Sequence, residues 1–164
     1  MIELKMTKTG IFMKRLLTDT LFDEYLLAEA SIVTYNTFSI DGRIKKDFFG
    51  DDAIDSINNE FSLWKDIRPI CYELIKGKHT PLSFKFVLYL SNDASKALIE
   101  ASGITSVSPD QVKFGLNIKY QDGLVSLITG CSYQTFTLEK EAELIWDKSV
   151  KAFLSKENVG FEEQ

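Results

Sequence analysis

An α+β fold is what this sequence predicts, and three observations carry the prediction. Apolar alternation with the period of a strand appears at Ile2 to Met6, Leu82 to Leu90 and Phe114 to Tyr120, with helical spacing between and after these runs. Two Asp-Gly dipeptides, Asp41-Gly42 and Asp122-Gly123, offer the positive φ angles of tight antiparallel turns. The order strand, helix, strand, Asp-Gly turn, strand then occurs twice, over Ile2 to Phe49 and again over Leu82 to Cys131. The expected architecture is two βαββ units in pseudo-repeat that build an antiparallel or mixed sheet. A central and a C-terminal helix are added, all in one domain over residues 1–164: halves 1–63 and 82–137, joined by helix 66–77 and followed by helix 138–156.

Each element has a local reason. Ile2, Leu4 and Met6 alternate with Glu3 and Lys5, as in a half-buried strand, and Thr7 or Thr9 can cap a helix lined by Met13, Leu16 and Leu17. β-Branched and aromatic residues accumulate from Tyr25 to Ile40, so that Asp41-Gly42 reads as a hairpin turn and Arg43 to Phe49 as the returning strand. Asp51, Asp52 and Asp55 lack the spacing of a calcium loop and read as solvated loop and helix start.

The central helix can open at Asp66 with Pro69 in its first turn, present Ile70, Cys71, Leu74 and Ile75 on one face, and stop at Gly77 as a left-handed cap. Leu82, Phe84, Phe86, Leu88 and Leu90 then form one apolar face of a central strand. Ser91 to Asp93 can cap a helix bearing Ala94, Ala97, Leu98 and Ala101, which Gly103 ends. A two-residue loop at Asp122-Gly123 sets Tyr120 opposite Val125 and Ile118 opposite Leu127. A further strand is expected near Tyr133 to Thr137. Ala142, Ile145, Trp146, Val150, Phe153 and Leu154 then keep helical spacing, and that helix should dock on the sheet.

Composition bounds the function classes. With 164 residues, 45% of them apolar, the chain can bury one sizeable core. The first twenty residues contain no uninterrupted apolar run, so neither a secretory signal nor a membrane span is expected and a cytoplasmic location is. Cys71 and Cys131 sit far apart in no metal-binding pattern, and neither a metal nor a cofactor is expected.

A net charge of −5 argues against a surface coated with phosphate-binding groups. The charge is uneven, however. Lys65, Arg68, Lys76, Lys78 and Lys85 stand against only Asp66 and Glu73, a local excess of +3 that leaves −8 for the rest. Lysines at a helix C-terminus complement its dipole. The sharper reading is an anion site built from Arg68, Lys76, Lys78, His79 and Lys85.

Glu29 to Arg43 (EASIVTYNTFSIDGR) and Arg68 to Phe86 (RPICYELIKGKHTPLSFKF) resemble the signature stretches of a bacterial family of uncharacterised proteins, a domain of unknown function, across nearly the whole chain. That resemblance implies no activity. The doubled layout separately resembles one domain of a DNA sliding clamp, where helices share one face and strands the other. Clamps carry bases on the helical face, which Lys14, Arg15 and Lys96 could echo, and one such domain would need further copies to close a ring.

Catalytic motifs are chance matches here. Ser62-Leu63-Trp64-Lys65 and Lys8-Thr9-Gly10 fit acyl-enzyme patterns in reversed chain order, and Gly77-Lys78 with Thr80 lacks the first glycine of a phosphate loop because Tyr72 stands there. His79 would need Glu73 or another acid to orient it as a base. No catalytic set is therefore assigned. The expected function is a non-enzymatic module that engages another protein through strand edges or exposed aromatics. Nucleic-acid binding through Lys14, Arg15, Arg43, Lys45 and Lys46 is one alternative, and a small enzyme around His79, Lys78 and Arg68 is the other.

Overall fold

A computed structural model describes residues 1–51 and 57–164 of the chain. In chain order it contains β1 (Glu3–Met6), α1 (Thr9–Leu17), β2 (Leu26–Val33), β3 (Thr37–Asp41), a 3-10 turn (Lys46–Phe49), β4 (Ser62–Leu63) and α2 (Trp64–Ile75). There follow β5 (Ser83–Tyr89), α3 (Asn92–Ser102), a second 3-10 turn (Pro109–Gln111), β6 (Val112–Gln121), β7 (Leu124–Tyr133), α4 (Glu141–Lys156) and β8 (Phe161–Glu163). The strands form one antiparallel sheet in the order β3-β2-β5-β6-β7-β1-β8, with β4 also paired to β2. The fold is α+β. Among the described residues no helix is long and apolar enough to cross a membrane.

Register puts the apolar side chains on one face. Ile32, Phe84, Tyr120 and Val125 form one cross-strand row, and Ala30, Phe86, Ile118, Leu127 and Leu4 form the next. Helices α1 to α4 all add buried residues to the same cluster, among them Phe12, Leu16, Trp64, Cys71, Ile99, Trp146 and Val150. Burying one such large side chain contributes about 1.5–3 kcal/mol, so this face holds the helices down. The opposite face carries Ser31, Lys85, Lys119 and Lys5 in one row and Glu29, Val87, Asn117, Ile128 and Glu3 in the next. An antiparallel sheet tolerates that asymmetry because alternate side chains leave from opposite faces.

The second Asp-Gly turn forms as expected. Asp122 and Gly123 have φ of 53° and 78°, Tyr120 pairs with Val125, and Ile118 with Leu127. Ser91 caps α3 by accepting a hydrogen bond from the Ala94 amide at 3.2 Å, and Gly103 ends it at φ 74°.

The first Asp-Gly pair corrects the expectation. The run from Tyr25 to Ile40 is itself a folded hairpin, turning at Thr34 to Asn36, and Asp41 closes β3. Gly42 adopts no positive φ. Its amide instead donates to the Ala28 carbonyl at 2.9 Å, at the bulge where β4 succeeds β3 beside β2. Arg43 makes a single bridge to Phe61, and Lys46–Phe49 is a 3-10 turn, so no strand returns there.

The order βαββ thus occurs twice, as β1-α1-β2-β3 and β5-α3-β6-β7, but the two units are bonded differently. β5 pairs with its own β6, whereas β1 pairs with β7 and β8. Helix α1 packs against α2 and β7. No separate strand forms over Tyr133 to Thr137, because β7 already ends at Tyr133, and the short β8 carried no legible alternation.

Two helix boundaries also shift. α2 opens at Trp64, whose amide donates to the Tyr25 carbonyl at 2.8 Å, so Pro69 lies inside the helix and leaves the Lys65 carbonyl without its usual partner. It closes on an extended Lys76, with Gly77 beyond at φ 145°, outside the left-handed helical region. Neither threonine caps α1, and the Thr9 hydroxyl donates to the Gly123 carbonyl at 3.0 Å. Asp52 and Asp55 lie outside the described residues.

Candidate functional site

The central segment does two separate jobs, and Arg68 belongs to the first. The last carbonyls of α1 have no partners within their own helix, and two side chains one turn apart on α2 reach them. The Trp64 indole donates to the Leu16 carbonyl at 3.0 Å and an Arg68 amine to the Leu17 carbonyl at 3.4 Å. The same guanidinium grips Asp23 in a two-point pair at 3.0 and 3.2 Å. Both side chains are more than four-fifths buried. Arg68 therefore ties α2 to the end of α1, and its charge is spent on Asp23. Arg68→Met should cost about 2–3 kcal/mol by stranding a buried carboxylate, and adding Asp23→Leu should recover part of that loss. Urea unfolding of the three variants checks this.

The second job is a cavity of about 390 Å³ at the corner of the sheet where the β2-β3 turn meets the α2-β5 connection. Its apolar wall comes from Tyr35, Leu74, Ile75 and Leu82, and its rim from Lys76, Lys78 and His79. Leu82 stays here because its amide donates to the Val33 carbonyl at 2.8 Å, extending the β2-β5 pairing one residue before the first residue of β5. Tyr35 projects from the turn, 86% exposed, with its ring edge-to-face on Phe38 at 5.8 Å.

Of the five anion-site candidates, the cavity gathers Lys76, Lys78 and His79. Lys76 pairs with Glu73 at 2.8 Å, and that hydrogen bond raises its pKa. Glu73 is thus paired with Lys76 and makes no hydrogen bond or ion pair with His79. Among the described residues Lys78 and His79 face no carboxylate. Lys85 lies on the helix-free face of the sheet, paired with Glu29 at 3.3 Å.

The five bases considered for nucleic acid fall on two separate surfaces. Lys14 and Arg15 are on α1, where Arg15 pairs with Asp19 at 2.8 Å and Glu157 at 3.2 Å. Arg43 pairs with Glu60 and lies over the Phe61 ring at 5.1 Å. Lys113 approaches that ring from 5.2 Å and binds the same Glu60 at 2.9 Å, so the Lys113 and Arg43 hydrogen bonds hold the Glu60 carboxyl below the usual range. Lys45 pairs with Asp41 at 3.2 Å. The Arg43 amide and then Lys45 lower the Asp41 pKa. Lys46 sits in the 3-10 turn beside the exposed Phe48 and Phe49.

Burial pushes both cysteine thiols up to about 12, so they remain protonated and unreactive at neutral pH.

Tyr35 and Leu82 were invisible as site residues in the sequence, since both read as strand positions. The signal that could have found them is Asn36, a turn-forming residue inside an otherwise β-branched run.

A family model described as a family of unknown function (DUF5721) matches residues 15–162. No curated protein and no solved structure matches the chain, so the likeness to a sliding-clamp domain rests on element order alone.

Proposed function

The chain belongs to that family of unknown function, and from its geometry we propose that it is a non-enzymatic binding module that seats an acidic, partly apolar segment of another protein in the corner cavity. The observation that carries this reading is the combination at one opening of an apolar wall (Tyr35, Leu74, Ile75 and Leu82) with Lys78 and His79, which have no carboxylate partner among the described residues. An apolar pocket with a few convergent polar groups is the usual form of a recognition site. The rest of the chain is acidic, so a basic rim gives local selectivity for negative charge. Two features favour binding over catalysis. Glu73 is paired with Lys76 and does not orient His79, and both thiols stay protonated.

The test is selection of random dodecapeptides displayed on phage against the full chain. Peptides combining an aromatic or branched apolar residue with Asp or Glu should be enriched. Their synthetic versions should lose about tenfold in affinity on Lys78→Glu, roughly 1.4 kcal/mol, and bind more weakly as salt rises. An enriched set without acidic residues, or affinity indifferent to Lys78→Glu, would overturn the proposal.

A further inference from the structure

The two edges of the sheet are treated differently. The β8 edge is three residues long, Phe161 to Glu163, with two adjacent carboxylates of which Glu163 is also tied to Lys151. Such short, charged edges are how proteins keep strands from pairing with strangers. The β3 edge, Thr37-Phe38-Ser39-Ile40-Asp41, has no lysine, no proline and no bulge within it, and among the described residues nothing pairs with its outer side.

Helix α2, which packs on the neighbouring strand β2, also leaves an apolar residue exposed on one flank. Arg68 marks the flank of α2 turned toward α1. The opposite flank carries Ile67, Ile70 and Leu74, one helical turn apart, and Leu74 meets the β2-β3 turn in the corner cavity. Ile70 is 52% exposed, unusual for an isoleucine on an apolar flank. Phe38 and Ile40 lie on the same side of the sheet, opposite Ile32 and Ala30, and are only half-buried.

We infer that the β3 edge and the Ile67-Ile70-Leu74 flank of α2 form a two-fold interface with a second copy of this chain. A two-fold axis perpendicular to the sheet pairs β3 with its copy antiparallel. Only registers that place side chains of like parity opposite one another keep apolar residues on one face. Centring the axis on Ser39 pairs all five strand residues with each other. Phe38 then falls opposite Ile40 on the helical face, and Thr37 falls opposite Asp41 on the other, hydroxyl to carboxylate. No like charges oppose. Extended two residues further, the same register brings the exposed Tyr35 toward Arg43 of the second copy. The α2 flanks approach across the axis, with Ile70 exposed where the copies meet. Isologous pairing requires a self-complementary surface of this kind, and two-fold dimers are the commonest assemblies. This interface is distinct from the corner cavity, so either reading can fail without the other.

Sedimentation velocity of the full chain at 10 to 100 µM, an ordinary range for such assays (roughly the range in which weak dimers populate), should give twice the 18.7 kDa chain mass. Because each copy is acidic, raising salt should strengthen the dimer, the opposite of its effect on an acidic peptide. Ile70→Glu, on an exposed position, should weaken dimerisation at least tenfold while leaving the circular dichroism spectrum unchanged, and Ser39→Pro should give a monomer by blocking the ladder. A wild-type monomer throughout this range overturns the inference. So does a dimer indifferent to Ile70→Glu, whatever the folding of the proline variant.

Discussion

Replacing Gly42 with alanine is expected to destabilise the protein by about 3 kcal/mol or more, an effect at the severe end for a single added methyl group. A Cβ at this position would lie 1.7 Å from the Leu27 carbonyl oxygen and 2.6 Å from its carbon. Both are backbone atoms of β2, so no rotamer change relieves the clash. The chain must pass this close because Gly42 bonds on both sides, its amide to the Ala28 carbonyl and its own carbonyl to the Ser62 amide, both at 2.9 Å. Moving it away breaks the junction between β3 and β4. Gly130→Ala is the contrast, since an added Cβ there meets nothing within 4 Å and its φ is not positive. That variant should match the wild type or gain up to about 1 kcal/mol through a less flexible unfolded chain. Urea midpoints measure both, and a Gly42→Ala protein within about 0.5 kcal/mol of wild type would refute the close-packing account.

Gly42 also shows how far the sequence could be read. Asp-Gly is a strong local signal for a hairpin, and at Asp122-Gly123 the local signal and the sheet agree, down to Tyr120 facing Val125. At Asp41-Gly42 the same dipeptide serves a long-range need, close approach to Leu27, which no window of neighbouring residues contains. The alternating faces of β5 and β6 were legible because a strand with one buried face must repeat every second residue. The start of α2 was not, because its first amide is satisfied by Tyr25, thirty-nine positions earlier.

The candidate site divides in the same way. A basic excess around Lys76 to His79 was visible as composition, and the cavity gathers those three residues. The fate of Arg68 was not visible, since Asp23 lies in a different element and only the fold brings the two together. Nor could composition reveal that Arg43 and Lys45 are held by Glu60 and Asp41. A charge run counts the bases but not their partners.

Trp64→Ala should cost about 3–5 kcal/mol, comparable with the largest core truncations, because two separate contributions end at this side chain. The ring is fully buried and lies 5.0 Å from that of Phe86, so its removal opens a void between α2 and the sheet. The indole also donates to the Leu16 carbonyl in the last turn of α1, which no amide of that helix can reach. Trp64→Phe separates these effects. It keeps most of the apolar bulk and removes only the donor, so it should cost about 1–3 kcal/mol for a buried carbonyl left unpaired. If the phenylalanine variant were as unstable as the alanine one, the hydrogen bond and not the packing would dominate. If it were as stable as wild type, the Leu16 carbonyl must find another partner, and the view of α2 as the cap of α1 would have to be abandoned.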